Sequence, residues 1–330
     1  MPSSVSPGRP ASLLSAPGSA ARRAALAALV LLPLTACGAS APAEGAGAAR
    51  SELRTAADAP TASTTRTPVD VSKELRALER KFDARIGLHA LNTGTGEEIT
   101  HRADERFAHC STFKSLAAGA LLATHSPAER ERVVTYTEDD LVEHSPVTEK
   151  HVDTGMTLNA LAAATLRESD NTAVNLLLEE ALGGPKGLES HLREELGDRT
   201  TNIDRYEPGL SDGTPGDKRD TSTARALSAD LRALLLGDAL NKRDRAQLTD
   251  WMHTNITGDT LIRAGVPDSW KVADKSGAGG YGTRNNIAVA WPDEGEPIVI
   301  SVLSSKDREG AEREDELVAE AAEIVADAIG

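Results

Sequence analysis

From Val71 to Phe82 the apolar positions Val71, Leu75, Leu78 and Phe82 recur every three to four residues, which predicts a helix. Two short alternating runs follow, Ile86–Leu91 and Glu97–His101, joined by Thr93-Gly94-Thr95-Gly96, and these read as a hairpin. The middle of the chain changes character. Segments 112–124, 157–167, 172–182, 185–196 and 223–236 all show helical periodicity, with Gly or Pro between several of them. The tail changes again: Trp270–Lys275, Asn286–Trp291 and Ile298–Leu303 read as strands, and 309–329 as an amphipathic helix through Leu317, Ala321, Ile324 and Ala328. Strands at both ends with helices between them predict α/β plus all-α architecture: an antiparallel sheet drawn from both termini, covered by helices, with a helical lobe inserted. The expected boundaries are an α/β lobe of about 70–105 and 255–330 and a helical lobe of about 106–254. Two lobes make a cleft, and clefts host chemistry.

The first residues have a different pattern. Residues 1–36 hold no Asp or Glu and three arginines, Arg9, Arg22 and Arg23, and an apolar run extends from Ala24 to Leu34. That run is shorter than the roughly 20 residues needed to cross a bilayer, and a basic start followed by a short apolar stretch is an export signal. Leu34-Thr35-Ala36-Cys37 resembles a lipobox, which predicts lipidation of Cys37 and an anchor on the outer face of the cell membrane, or secretion if Cys37 is not lipidated. Residues 38–69 are Ala, Gly, Ser, Thr and Pro with few larger aliphatics, so 37–69 reads as anchor residue and flexible tether.

Composition narrows the function classes. Lys and Arg number 36 against 51 Asp and Glu, a formal charge of −15, and removing the three arginines of 1–36 leaves −18. This balance, without a basic run, argues against nucleic acid. Two cysteines cannot build a disulfide framework or a Cys-type zinc site. Neither His101, His109, His151 nor His253 has partner spacing for a metal, so no metal or cofactor is expected.

Three short motifs carry candidate chemistry. Ser111-Thr112-Phe113-Lys114 opens the first central helix. Residues three apart share a helix face, so the lysine amine can meet the serine hydroxyl, and a serine needs such a neighbour to become a nucleophile. Ser169-Asp170-Asn171 lies between two predicted helices, and Lys275-Ser276-Gly277 ends a predicted strand. Each alone has an ordinary explanation: a chance helix-surface spacing, a helix cap, an edge-strand charge. Together, in this order and on these elements, they are specific.

In this combination the chain resembles the class A serine β-lactamases. Phe107–Lys114, Ser145–His151, Ser169–Leu177, Arg205–Pro208 and Ala273–Gly279 are all similar to that family's segments, and the likeness spans roughly 70–330. It implies hydrolysis of penicillins and some cephalosporins by a monomer, with the small-molecule β-lactam as partner. Ser111 would be acylated, with either Lys114, or Glu207 through a water, accepting its proton. Ser169 would protonate the departing nitrogen, and the N–H groups of Ser111 and Ala278 would form an oxyanion hole. Asn171, Lys275, Ser276, Gly277 and Arg284 would bind substrate. Glu207 would activate the deacylating water from an Ω-loop of about Asn202–Asp220, closed by Arg205 and Asp220, with Asn175 and Ser211 in support and a cis Glu207-Pro208 bond.

Three positions depart from the family pattern. Ser211 replaces the usual asparagine, which predicts a less firmly held hydrolytic water. His144 stands where an aromatic often lines the cleft. The resemblance implies that Cys110 is paired in some relatives that hydrolyse carbapenems, but their partner position is here Gly279, so a free, buried thiol is expected; with Ala278 this favours penicillins over carbapenems. The competing readings are a penicillin-binding D,D-peptidase and a sensor that is acylated and stops.

Overall fold

A computed structural model describes residues 67–330. The export signal, Cys37 and all but the end of the expected tether lie outside the described residues. A six-stranded sheet holds β1 (Thr67–Pro68), β2 (Arg85–Asn92), β3 (Glu97–His101), β4 (Lys271–Ala278), β5 (Arg284–Trp291) and β6 (Ile298–Ser305), in the order β1-β3-β2-β6-β5-β4. Every pairing is antiparallel except the two-residue β1–β3 contact, which is parallel. Thr67 and Pro68, expected in the tether, therefore belong to the sheet edge: Thr67 donates its N–H to the Gly96 carbonyl at 2.9 Å. Proline is tolerated there because an edge strand leaves one row of donors unused.

Both sheet faces are covered, so the central strands are apolar in near-continuous runs. Ala288 and Ala290 of β5 and Ile298, Ile300 and Val302 of β6 face one core, with Leu75 and Leu78 of α1 (Ser72–Phe82). Ile287, Val289, Val299 and Leu303 point the other way, into the core of the helical lobe. The alternation follows the two-residue period of a strand.

The helical lobe contains α2 (Lys114–Thr124), α3 (Leu158–Arg167), α4 (Asn171–Glu180), α5 (Gly184–His191), α6 (Ala224–Leu235) and α7 (Lys242–His253). Residues 114–122 of α2 are all buried, as a helix without a polar face requires. A Cβ on Gly119 would come within 2.8 Å of Leu234, so this glycine lets α2 and α6 approach. The chain then returns through the short α8 (Ile262–Gly265) to the sheet and ends in α9 (Asp315–Ile329).

Several elements differ from the sequence reading. The nucleophile segment is a 3-10 turn, Cys110–Phe113, placed ahead of α2. The predicted helix 185–196 divides into α5 and a wider π turn, Leu192–Leu196. The expected helix 309–329 starts only at Asp315: Gly310 takes a positive φ of 69°, and Glu314, just ahead of the helix, is still extended (φ −115°, ψ 100°). Finally, α7 and α8 were not expected: α7 buries only Asp244, Leu248, Trp251 and Met252 from a charged sequence.

Candidate active site

The catalytic candidates meet where the 3-10 turn, the α3–α4 loop, the Ω-loop and β4 converge on a cleft of about 860 Å³. Ser111 lies in the 3-10 turn after Cys110, whose φ of 47° is uncommon for a residue with a side chain. The turn is held from the sheet: Asn285 Nδ2 of β5 donates to the carbonyls of Ala108 (2.8 Å) and His109 (3.2 Å). Gly277 of β4 passes so close that a Cβ there would lie 3.0 Å from both the His109 carbonyl oxygen and Thr112 Cγ2. That contact brings Lys275 and Ala278 beside Ser111.

Ser111 Oγ donates to Glu207 Oε1 at 3.2 Å. The sequence reading had Lys114 meeting this hydroxyl. Instead Lys114 Nζ donates to the Ser169 carbonyl (2.6 Å), Ser169 Oγ (3.3 Å) and Asn171 Oδ1 (2.5 Å), and lies 3.8 Å from Glu207 Oε1. The carboxylate is the stronger acceptor for the hydroxyl, and the ammonium is occupied by three oxygens. Burial, only partly opposed by Glu207 and Asp170, lowers Lys114 to about 8.

Ser169 has a φ of 57° and sits between α3 and α4. Asp170 caps α4 through the Ala173 N–H (2.8 Å) and also accepts from the N–H groups of Val147 and Thr148 (both 2.9 Å). The cap thus aims Ser169 and Asn171 at the cleft, and Asn171 Nδ2 donates to the Glu143 carbonyl at 2.8 Å.

The Ω-loop is closed as expected. Asp220 accepts from Arg205 Nε (2.6 Å) and from the N–H groups of Asp204 (2.7 Å) and Arg205 (3.0 Å), and the Glu207-Pro208 bond is cis. Asn175 of α4 grips the Glu207 backbone twice, donating to its carbonyl (2.8 Å) and accepting from its N–H (3.0 Å). Ser211 Oγ donates to Glu207 Oε2 at 2.9 Å. Glu207 is 3% exposed, so these few donors decide where its carboxylate points.

On the opposite wall Lys275 is fully buried and donates to the Ser276 carbonyl at 2.9 Å. Burial first, then the like charge of Lys114, pushes Lys275 well below the ordinary lysine value. Ser276 Oγ pairs with Thr257 Oγ1 at 2.6 Å. Ala278 and Arg284 both line the cleft, but Arg284 has a partner that the sequence did not show, Asp315, at 2.5 and 3.2 Å. Cys110 is a free thiol, fully buried and pushed up mainly by that burial. A Cβ on Gly279 would lie 2.6 Å from its sulfur and 2.4 Å from the Ser211 carbonyl oxygen. His144 stands on the exposed rim, its Nε2 3.1 Å from the Glu168 carbonyl.

Ser111, Ser169, Asn171, Glu207, Ser211, Ser276, Ala278 and Arg284 therefore line one cleft, with Lys114, Asn175, Lys275 and Gly277 behind its walls, while Arg205 and Asp220 close the neck of the Ω-loop. Sequence reasoning missed Thr257, Asp315 and Arg313, which also lines the cleft. Thr257 follows an Asn255 side-chain turn, with Asn255 Oδ1 accepting from the Thr257 N–H at 2.8 Å, a local signal that marks a turn without marking a site.

The chain matches known proteins over the same span. The family model described as the β-lactamase enzyme family matches residues 70–329. A β-lactamase of Bacillus licheniformis is 52% identical over 260 residues, covering 79% of this chain and 84% of that protein. β-Lactamase 1 of Streptomyces cacaoi is 49% identical over 325 residues, 92% of this chain and 96% of that one. The crystal structure of a class A β-lactamase from Clostridium kluyveri superimposes with a TM-score of 0.76 at 46% identity, covering 77% of this chain and 97% of that chain. On fold, cleft and likeness together, the chain belongs to the β-lactamase enzyme family and is a class A serine β-lactamase, a hydrolase of β-lactams.

Proposed function

We propose that hydrolysis proceeds through an acyl-enzyme on Ser111 that Glu207 then releases. Ser111 Oγ attacks the lactam carbonyl, and Glu207 Oε1, 3.2 Å away, is placed to take its proton. The N–H groups of Ser111 and Ala278 stabilise the oxyanion. The C–N bond then breaks, and the nitrogen receives a proton from Ser169, whose Oγ is replenished from Lys114 at 3.3 Å. Glu207, 3.8 Å from Lys114 Nζ, returns the Ser111 proton to the lysine and regains its carboxylate. In the second half it takes a proton from water, the hydroxide attacks the ester, and Glu207 gives that proton to Ser111 Oγ as it leaves as the alcohol. Lys275, Ser276, Thr257 and Arg284 form the polar end that receives the substrate carboxylate.

The single observation that carries this reading is the position of Glu207. A buried carboxylate within hydrogen-bond reach of the nucleophile supplies the base that a penicillin-binding peptidase or a sensor needs to lack. Substrates are penicillins and some cephalosporins, a preference supported by the unpaired Cys110. β-Lactamases are typically exported, in keeping with the signal read in 1–36; anchoring through Cys37 and a monomeric state complete the proposal.

The test is turnover of nitrocefin and a penicillin, followed by intact mass. Rapid turnover abolished by Ser111→Ala supports the reading. A stoichiometric, lasting adduct on the wild-type enzyme would overturn it in favour of a sensor or peptidase.

A further inference from the structure

A second pair of carboxyl groups lies behind the Ω-loop. Asp230 sits on α6, a helix whose other inward positions are Ala224, Leu227, Ser228, Leu231, Leu234 and Leu235, and it is 2% exposed. Its carboxyl group meets that of Asp198, itself buried, across the start of the Ω-loop. Asp198 fixes the chain that leads into that loop, accepting from the N–H groups of Thr200 (2.7 Å) and Thr201 (3.1 Å). The two legs are then joined by Thr201 Oγ1 to Ser222 Oγ (2.7 Å) and by the Asn202 N–H to the Thr221 carbonyl (3.0 Å), a few residues from Glu207.

The chemistry of this contact is constrained. Asp230 Oδ2 is buried without a donor from the rest of the described residues. Two ionised carboxylates facing each other out of water repel, and neither can donate. A proton on Asp230 turns the same contact into a hydrogen bond. The α6 helix packs against β2, β5, β6, α2 and α7, yet the field on Asp230 comes from Asp198 alone among the described titratable groups.

We propose that Asp230 is a positioning residue for deacylation: kept as the neutral acid, it donates to Asp198 and locks the neck of the loop that carries Glu207. Burial, then the charge of Asp198, raises its pKa well above the ordinary carboxylate value, in the same direction as the geometry. The folded protein thus holds a proton that the unfolded chain releases near pH 4. The stability from this pair is complete at acid pH and is lost as pH rises through the folded-state pKa. The inference rests on the proposed role of Glu207.

Two substitutions test it. Asp230→Leu removes the donor; kcat should fall about tenfold or more, by loosening of the base. KM should fall with it, so that kcat/KM falls less than kcat, and acyl-enzyme should accumulate on Ser111. Asp230→Asn keeps a neutral donor and should restore turnover relative to Asp230→Leu. The wild-type melting temperature should also fall more steeply from pH 5 to 9 than that of Asp230→Asn. Should Asp230→Leu fold too poorly to assay, the melting curves of Asp230→Asn decide. An Asp230→Leu enzyme that is acylated and deacylated at wild-type rates, or superimposed melting profiles, would overturn this inference alone. A wild-type enzyme never acylated at Ser111 would overturn the reading beneath it as well.

Discussion

The hydroxyl of Ser211 makes the contact on which deacylation depends most visibly. Glu207 Oε1 is shared between Ser111 Oγ at 3.2 Å and Lys114 at 3.8 Å, but Oε2 receives its hydrogen bond from Ser211 Oγ at 2.9 Å. Ser211→Ala deletes that donor. A hydrogen bond to a charged group is worth about 1.5–3 kcal/mol, and each 1.4 kcal/mol is about tenfold in rate. The carboxylate is 3% exposed, which limits replacement by solvent, but Oε1 stays held, so the lower end applies. Deacylation should slow by about tenfold. The assay is rapid-quench intact mass with benzylpenicillin, which separates the rate of adduct formation from the rate of its decay. Adduct decay within twofold of wild type would refute the claim that this bond orients the base. The companion variant Ser211→Asn has a longer side chain that can donate to Glu207 and still offer an amide oxygen to the attacking water. It should deacylate faster than wild type, and an unchanged or slower rate would contradict the reading of serine here as the poorer water holder.

Three further outcomes follow from burial and charge. Lys114, lowered to about 8 from 10.5, is a buried cation that the folded protein holds less readily than the unfolded chain, a cost of about 3 kcal/mol below pH 8. That cost is relieved as pH rises from about 8 to 10.5, so in thermal melts wild type should gain on Lys114→Met across this window; a constant gap would contradict it. Asp170→Ala removes the cap of α4 and the acceptor for Val147 and Thr148, and should cost about 4 kcal/mol, seen as a melting temperature roughly 10 °C lower. Cys110, buried and pushed up, should resist iodoacetamide at pH 8 in the folded protein and react in urea; equal rates in both would show that the segment behind Ser111 opens.

The legible parts of the chain were those in which periodicity and burial agree. The helix at 72–82 and the strands 85–92, 97–101 and 298–305 bury the residues their spacing points inward. The motif residues were legible because their chemistry is rare in combination. What escaped was fixed by partners distant in sequence. The helix α7 is charged along most of its length and forms because Leu248, Trp251 and Met252 find the helical core. Thr67 and Pro68 become a strand only because β3 offers an edge. Arg284 could be expected in the cleft, but Asp315, 31 residues on, holds its guanidinium. The hydroxyl of Ser111 turns to Glu207 and away from its own helical neighbour, because the Ω-loop brings in a better acceptor across 96 residues. Asp198 and Asp230 carried no motif at all, and only burial makes their meeting consequential.

The central claim is that one cleft both acylates Ser111 and, through Glu207, frees it. The most direct measurement is intact mass and peptide mapping of Glu207→Gln through a time course with benzylpenicillin, beside wild type. The account predicts a single adduct on Ser111 that forms more slowly in the variant and then persists, where wild type clears it within the mixing time. A variant that turns substrate over at the wild-type rate, or an adduct mapped to any other residue, would contradict it.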